Sequence, residues 1–295
     1  MKKITIILIT LISFGCETIE GPYLSDDNFT NPNTNTKKKI LIEDFTGHTC
    51  QNCPEAAKEL EAIHDVYGDQ IIGIAIHVVR SFARPYPESA APKFQYDFRT
   101  QWGDAWESLF EITSLPKGMV NRIGYPDDNH RLGKDEWLSQ VQNELNKTPK
   151  IKIDISSVNS SLTNGTINIE TTILEDFTGE YKLIICLTED NIINWQKDGA
   201  NEIEDYQHNH VLRTVLHDDI FGNSNEFTAN TTLTKNIDYN LEELEQYNIN
   251  YSQNIALDGN GNAGGWEADN MSIIAYIYNS TTYEILQVEQ ANLIP

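Results

Sequence analysis

Ile40-Leu41-Ile42-Glu43-Asp44-Phe45-Thr46-Gly47-His48-Thr49-Cys50-Gln51-Asn52-Cys53-Pro54 passes from an apolar run, through two acids, into a polar loop that ends on a C-x-x-C pair and a proline. The run over 40–45 reads as a short buried strand. Beyond the loop, Pro54 to Tyr67 carries Ala57, Leu60, Ile63 and His64 at helical spacing. Ile71 to Val79 is nearly all apolar, as expected of a strand covered on both faces in a parallel sheet. Together these segments predict a βαβ unit whose first loop holds both cysteines. Pro54 has no N–H and suits a first helical position, which places the start of the helix at Cys53 rather than at Cys50.

Downstream, the patterns predict a helix over 95–110, a strand over 119–123 and a helix over 134–146 with Trp137, Val141 and Leu145 on one face. After Pro149 the period changes to two: Ile151, Ile153, Ile155, then Asn164-Gly165 as a hairpin turn, then Ile167 and Ile169. Further strands are expected over 181–188, 208–216, 226–234, 272–278 and 284–288. The expected organisation is an α/β domain over residues 39–148 followed by an all-β antiparallel sandwich, immunoglobulin-like, over 149–295.

Upstream, a charged start and an apolar run fill residues 1–15, which read as a signal peptide too short to span a bilayer. Residues 16–38, rich in Asn, Thr, Asp and Pro, read as a tether, and the lysines at its end as a solvated stretch. Without residues 1–15 the chain has 280 residues and 19 Lys and Arg against 44 Asp and Glu, a formal charge of −25. Such acidity excludes a generic nucleic-acid binder, which needs a basic surface to neutralise phosphates. Apolar residues at 39% suffice for a core, so the body is folded and acidic.

Cys50 and Cys53 lie between a predicted strand and a predicted helix, and three chemistries are open to them: a redox pair, a closed structural disulfide, or half of a zinc site. Zinc lacks a second ligand pair in the sequence, and no cofactor or metal is expected. The segment 43–53 resembles the active-site segment of the thioredoxin superfamily, with Asp44 six residues before Cys50 and Ser114-Leu115-Pro116 ahead of a strand. That resemblance covers about 38–147 and implies a thioredoxin-like fold. It further implies Cys50 as attacking thiolate, Cys53 as resolving thiol, Asp44 as proton acceptor for Cys53, and Pro116 as a cis-proline that guides substrate. Three departures stand against it: Thr49 replaces the usual Trp, Gln51-Asn52 is an unusual inner pair, and Pro54 follows Cys53 directly. His48, two residues before Cys50, is either a cation that stabilises its thiolate or shuttles a proton, or a loop histidine facing water.

Gly15-Cys16 after the apolar run resembles a bacterial lipoprotein signal, although Ser13 stands where Leu is commonest; it implies lipidation of Cys16. With Asn52-Cys53-Pro54 and Asn209-His210-Val211-Leu212-Arg213, the whole chain resembles the outer-membrane-protein-28-related lipoproteins. The expectation is a lipid-anchored protein of the bacterial outer membrane or cell surface, exchanging thiols and disulfides with exported proteins and touching the membrane through Cys16. The competing expectation is a non-enzymatic surface or adhesion lipoprotein in which the cysteine pair is a structural disulfide. Cys186, inside an apolar strand, reads as a buried small hydrophobe. His208 and His210 read as sharing one strand face at a sandwich edge, and 258–264 as a Gly/Asn-rich hairpin loop rather than a calcium site.

Overall fold

The computed structural model describes residues 36–159 and 161–295. The signal segment, Cys16 and most of the tether therefore lie outside the described residues. The first half contains β1 (Ile40–Thr46), α1 (Cys53–Tyr67), β2 (Ile71–His77), α2 (Arg80–Ala83), α3 (Gln101–Leu109), β3 (Lys117–Val120) and α4 (Lys134–Leu145). The second contains β4 (Ile151–Asn159), β5 (Asn164–Ile173), β6 (Phe177–Thr178), β7 (Tyr181–Glu189), β8 (Ile192–Asp198), β9 (Asn201–His208) and β10 (Val211–Ile220). It ends with β11 (Glu226–Phe227), β12 (Thr232–Asn240), α5 (Leu241–Asn254), β13 (Met271–Asn279) and β14 (Ile285–Asn292). Among the described residues the result is a mixed α/β structure with one large sheet and three small ones.

β1 is buried at all seven positions because it is paired on both sides, parallel to β2 and antiparallel to β3. Alternation sends Ile40 and Ile42 to one face, where Ala56, Leu60 and Ile63 of α1 and Trp137 and Val141 of α4 cover them. Leu41 and Phe45 face the opposite core with Trp106, Phe110 and Met119. Gly118 of β3 is required by this packing, since a Cβ there would lie 2.3 Å from the Trp137 ring.

The pattern changes at Pro149, but the large sheet does not end there. Its order is β14-β13-β7-β10-β2-β1-β3, so four strands from the second half continue the sheet begun by the first. The join is the parallel pair Val211–Ala75 and the bond from Ala75 N–H to the His210 carbonyl at 2.8 Å. Without it, buried β2 would present an unpaired edge. Leu183, Ile185, Ile273 and Ile277 pack against Ile151, Ile153, Ile167 and Ile169 of the separate sheet β12-β5-β4, while their neighbours Ile184, Cys186, Ile274 and Tyr276 join the core containing Trp106.

Three expected features are corrected. Lys38 is buried and donates to the carbonyls of Ile285 and Leu286, and Lys39 pairs with Glu289, because the neighbouring β14 offers them acceptors. His208 and His210 do not share a strand, since β9 ends at His208 and His210 turns the chain into β10 with φ 58°. The 258–264 stretch follows a helix rather than forming a hairpin, and Asp258 pairs with Arg80 and Arg84. Cys186 is free and fully buried, and burial pushes its thiol pKa up.

A buried ion pair holds the centre of the sheet: Arg122 donates to Glu43 at 2.6 and 2.8 Å and to the Tyr276 hydroxyl at 2.8 Å. Arg122→Leu strands the Glu43 carboxylate and is expected to lower the unfolding free energy by about 3–5 kcal/mol, measured by urea denaturation. A loss below about 1 kcal/mol would contradict this role.

Candidate functional site

Cys50 and Cys53 form a disulfide at the carboxyl end of β1 and the amino end of α1. As the sequence predicts, α1 starts at Cys53 with Pro54 in its first turn. The loop is held close to α2: Thr49 N–H and its hydroxyl both donate to the Phe82 carbonyl, at 3.0 and 2.9 Å. Gly47 permits this approach, because a Cβ would sit 2.6 Å from that same oxygen. Both cysteines are only 2% exposed.

The cover on the other side comes from the second half of the chain. Hairpin β8–β9 lies along the loop, where Lys197 N–H donates to the His48 carbonyl and Gly199 N–H to the Gln51 carbonyl, each at 2.9 Å. Buried Gln196 donates to the carbonyls of Gly47 and Cys50 at 3.3 and 3.1 Å. The sequence reading missed this hairpin and the residues it brings. Gly199-Ala200 between Asp198 and Asn201 was the available signal, a two-residue loop with glycine first, at φ 58°.

A cavity of about 470 Å³ opens beside the pair and is lined by Asp44, Thr46, Cys53, Leu60, Glu61, His77, Gln196, Tyr206, His208 and His210, among others. Asp44 is fully buried, its Oδ1 has no hydrogen-bond partner, and burial raises its pKa to about 7 against a smaller opposing pull from His210. His210 bridges Glu61 at 3.3 Å and Asp190 at 3.2 Å; burial works against its charge, but these two carboxylates prevail and its pKa rises to about 9.

Three further imidazoles surround the Phe98 ring, with centroids 4.4 Å away for His77, 4.5 Å for His208 and 5.8 Å for His48. Burial lowers all three, His48 to about 4 and His208 to about 3, and neighbouring positive groups add to the shift. His48 Nε2 meets the Arg84 carbonyl at 3.0 Å. His48 is therefore neither a cation at neutral pH nor a loop residue facing water, which corrects both readings of it. His77 has no partner at either ring nitrogen. Among the described residues, no three His, Cys, Asp or Glu side chains are placed to hold a metal ion together.

Pro116, joined to Leu115 by a cis peptide, immediately precedes β3, whose first residue Lys117 pairs with Phe45. It does not line the cavity that Cys53 and Asp44 share. Of the expected site residues, Cys50, Cys53, Asp44 and His48 thus gather at one end of β1, and Pro116 lies just before the neighbouring strand β3.

A family model described as Outer membrane protein Omp28 matches residues 103–294. The chain belongs to the Omp28 family. The matched stretch begins beyond the cysteine pair. Among solved structures, HBP35 of Porphyromonas gingivalis superposes with a TM-score of 0.60 at 17% identity, covering 87% of this chain and 75% of its own, a likeness of fold. A domain of the outer membrane lipoprotein Omp28 from the same organism aligns at 20% identity over 50% of this chain and 89% of its own, with a TM-score of 0.30. No curated protein matches the chain. Family membership points to the cell envelope or outer membrane, and no helix among the described residues is long and apolar enough to cross a membrane.

The buried groups make stability depend on pH in opposite senses. Between about pH 4 and 7 the unfolded chain has released the Asp44 proton that the folded chain keeps, so this group's contribution falls as pH rises through that window. His48 and His208, held neutral, contribute above their ordinary pKa of 6.5, and that contribution is lost as pH falls toward 4 and 3. Asp44→Asn is expected to gain on wild type by about 2–4 kcal/mol in unfolding free energy between pH 4 and pH 7. A difference that does not change with pH would remove Asp44 from this account.

Proposed function

We propose that this Omp28-family chain is a lipid-anchored envelope protein that exchanges thiols and disulfides with exported proteins at Cys50 and Cys53. The observation that carries the proposal is the placement of a buried, unpartnered carboxyl, Asp44, in the same cavity as Cys53. A group with a pKa near 7 takes and returns protons efficiently at neutral pH, which each half of a disulfide exchange requires.

The thioredoxin-like reading of residues 39–148 is supported by β1, α1 and parallel β2, with antiparallel β3 following a cis-proline. The immunoglobulin-like reading of 149–295 is supported by its strand orders. β4, β5 and β12 form one sheet, and β7, β10, β13 and β14 form the facing strands, in the A-B-E and G-F-C-C′ arrangement. On this reading hairpin β8–β9 is an insertion between two strands of the sandwich. Cys16 is the lipid attachment, and Pro116 flanks the substrate path.

The burial of both sulfurs favours a second reading, in which the disulfide is a staple and the lipoprotein acts as a surface or adhesion module. An unstructured peptide with two cysteines separates them. The oxidised protein is expected to oxidise one peptide per molecule, Cys50→Ser to oxidise none, and Asp44→Asn to lose the rate inflection near pH 7. Equal rates for wild type and Cys50→Ser would end the exchange reading.

A further inference from the structure

We infer that an incoming thiol reaches Cys53 first, through the cavity on the α1 face, and that Cys50 is the leaving sulfur. This rests on the exchange reading above and reverses the order of roles that the thioredoxin resemblance implies. Three observations carry it. Cys53 lines the cavity, whereas Cys50 does not. The loop at Cys50 is closed from above by Gln196 on its carbonyl and by Lys197 and Gly199 on the flanking carbonyls, and from the side by Phe82. The proton acceptor, Asp44, lies on the cavity side with a free oxygen.

The chemistry follows from that placement. A thiol entering the cavity gives its proton to Asp44, and its sulfur forms a bond to Cys53 Sγ. The Cys50–Cys53 bond breaks, and its electron pair leaves on Cys50 Sγ, which is then protonated. A second thiol attacks the substrate sulfur of the mixed disulfide and releases Cys53. Two substrate thiols become one disulfide, and the protein disulfide becomes two thiols. A cavity of about 470 Å³ has the size of a small-molecule site and admits a thiol on a small or extended carrier, not the surface of a folded protein. His77 and His208, with unpartnered ring nitrogens, offer hydrogen bonds to polar groups of that carrier.

The test uses the oxidised protein with glutathione, quenched in acid within the first turnover, alkylated and mapped by tandem mass spectrometry. The glutathione adduct is expected on Cys53. Ala57→Trp, which fills the cavity wall without touching either sulfur's backbone, is expected to slow adduct formation at least tenfold. A folded protein bearing one surface cysteine is expected to react at least tenfold more slowly than glutathione. An adduct on Cys50, an unchanged rate in Ala57→Trp, or a faster folded-protein thiol overturns the inference while the exchange reading stands. No adduct on either cysteine overturns both.

Discussion

Glu43 and Asp44 are adjacent carboxyls on a strand with no exposed side, and the two-residue period sends them to opposite faces of the same sheet. On one face Glu43 meets Arg122, whose guanidinium is ringed by Trp106, Phe110, Tyr276 and Tyr278. On the other, Asp44 meets a cavity, and the positive group that acts on it, His210, is committed to Glu61 and Asp190. The paired carboxyl holds the sheet together, whereas the unpaired one is pushed toward neutrality by desolvation. The strand that organises the fold thus also places a buried carboxyl in the cavity that Cys53 lines.

The second half of the chain completes that arrangement. β10 supplies the missing partner of β2, and the turn into it positions His210 at the cavity edge. The preceding hairpin covers the disulfide from above, tied down by Lys93–Glu202 at 2.6 Å as well as by its bonds to the loop. Deep burial of a disulfide normally argues for a structural role. Here the surroundings are asymmetric, because the backbone about Cys50 is bonded to hairpin β8–β9 whereas Cys53 lines a cavity that also holds Asp44.

Much of this was legible in the sequence where the signal was local. The apolar runs over β1 and β2, the helical stripe of α1, Pro54 at its start and the alternation in β4 and β5 all form as their patterns dictate. Asp44 and the cysteines gather because only five residues of strand and loop lie between Asp44 and Cys50. What was not legible depends on distant partners. Hairpin β8–β9 is mostly polar, so only its Gly199-Ala200 turn announced it, and its place over residues 47–51 is tertiary. His48 read either as a cation beside Cys50 or as a loop residue facing water, but Phe94 and Phe98 pack on it and exclude the water that would support a charge. The sheet that runs across residue 149 arises from a single pairing of residues far apart in the chain.

The central claim is that the Cys50–Cys53 pair is poised to exchange rather than locked shut. Its reduction potential tests this most directly, measured by equilibrating the protein in glutathione redox buffers and quantifying the free thiols. The account predicts a value between about −270 and −120 mV, the span of exchange-active pairs. A value below about −300 mV, where structural disulfides lie, would contradict it.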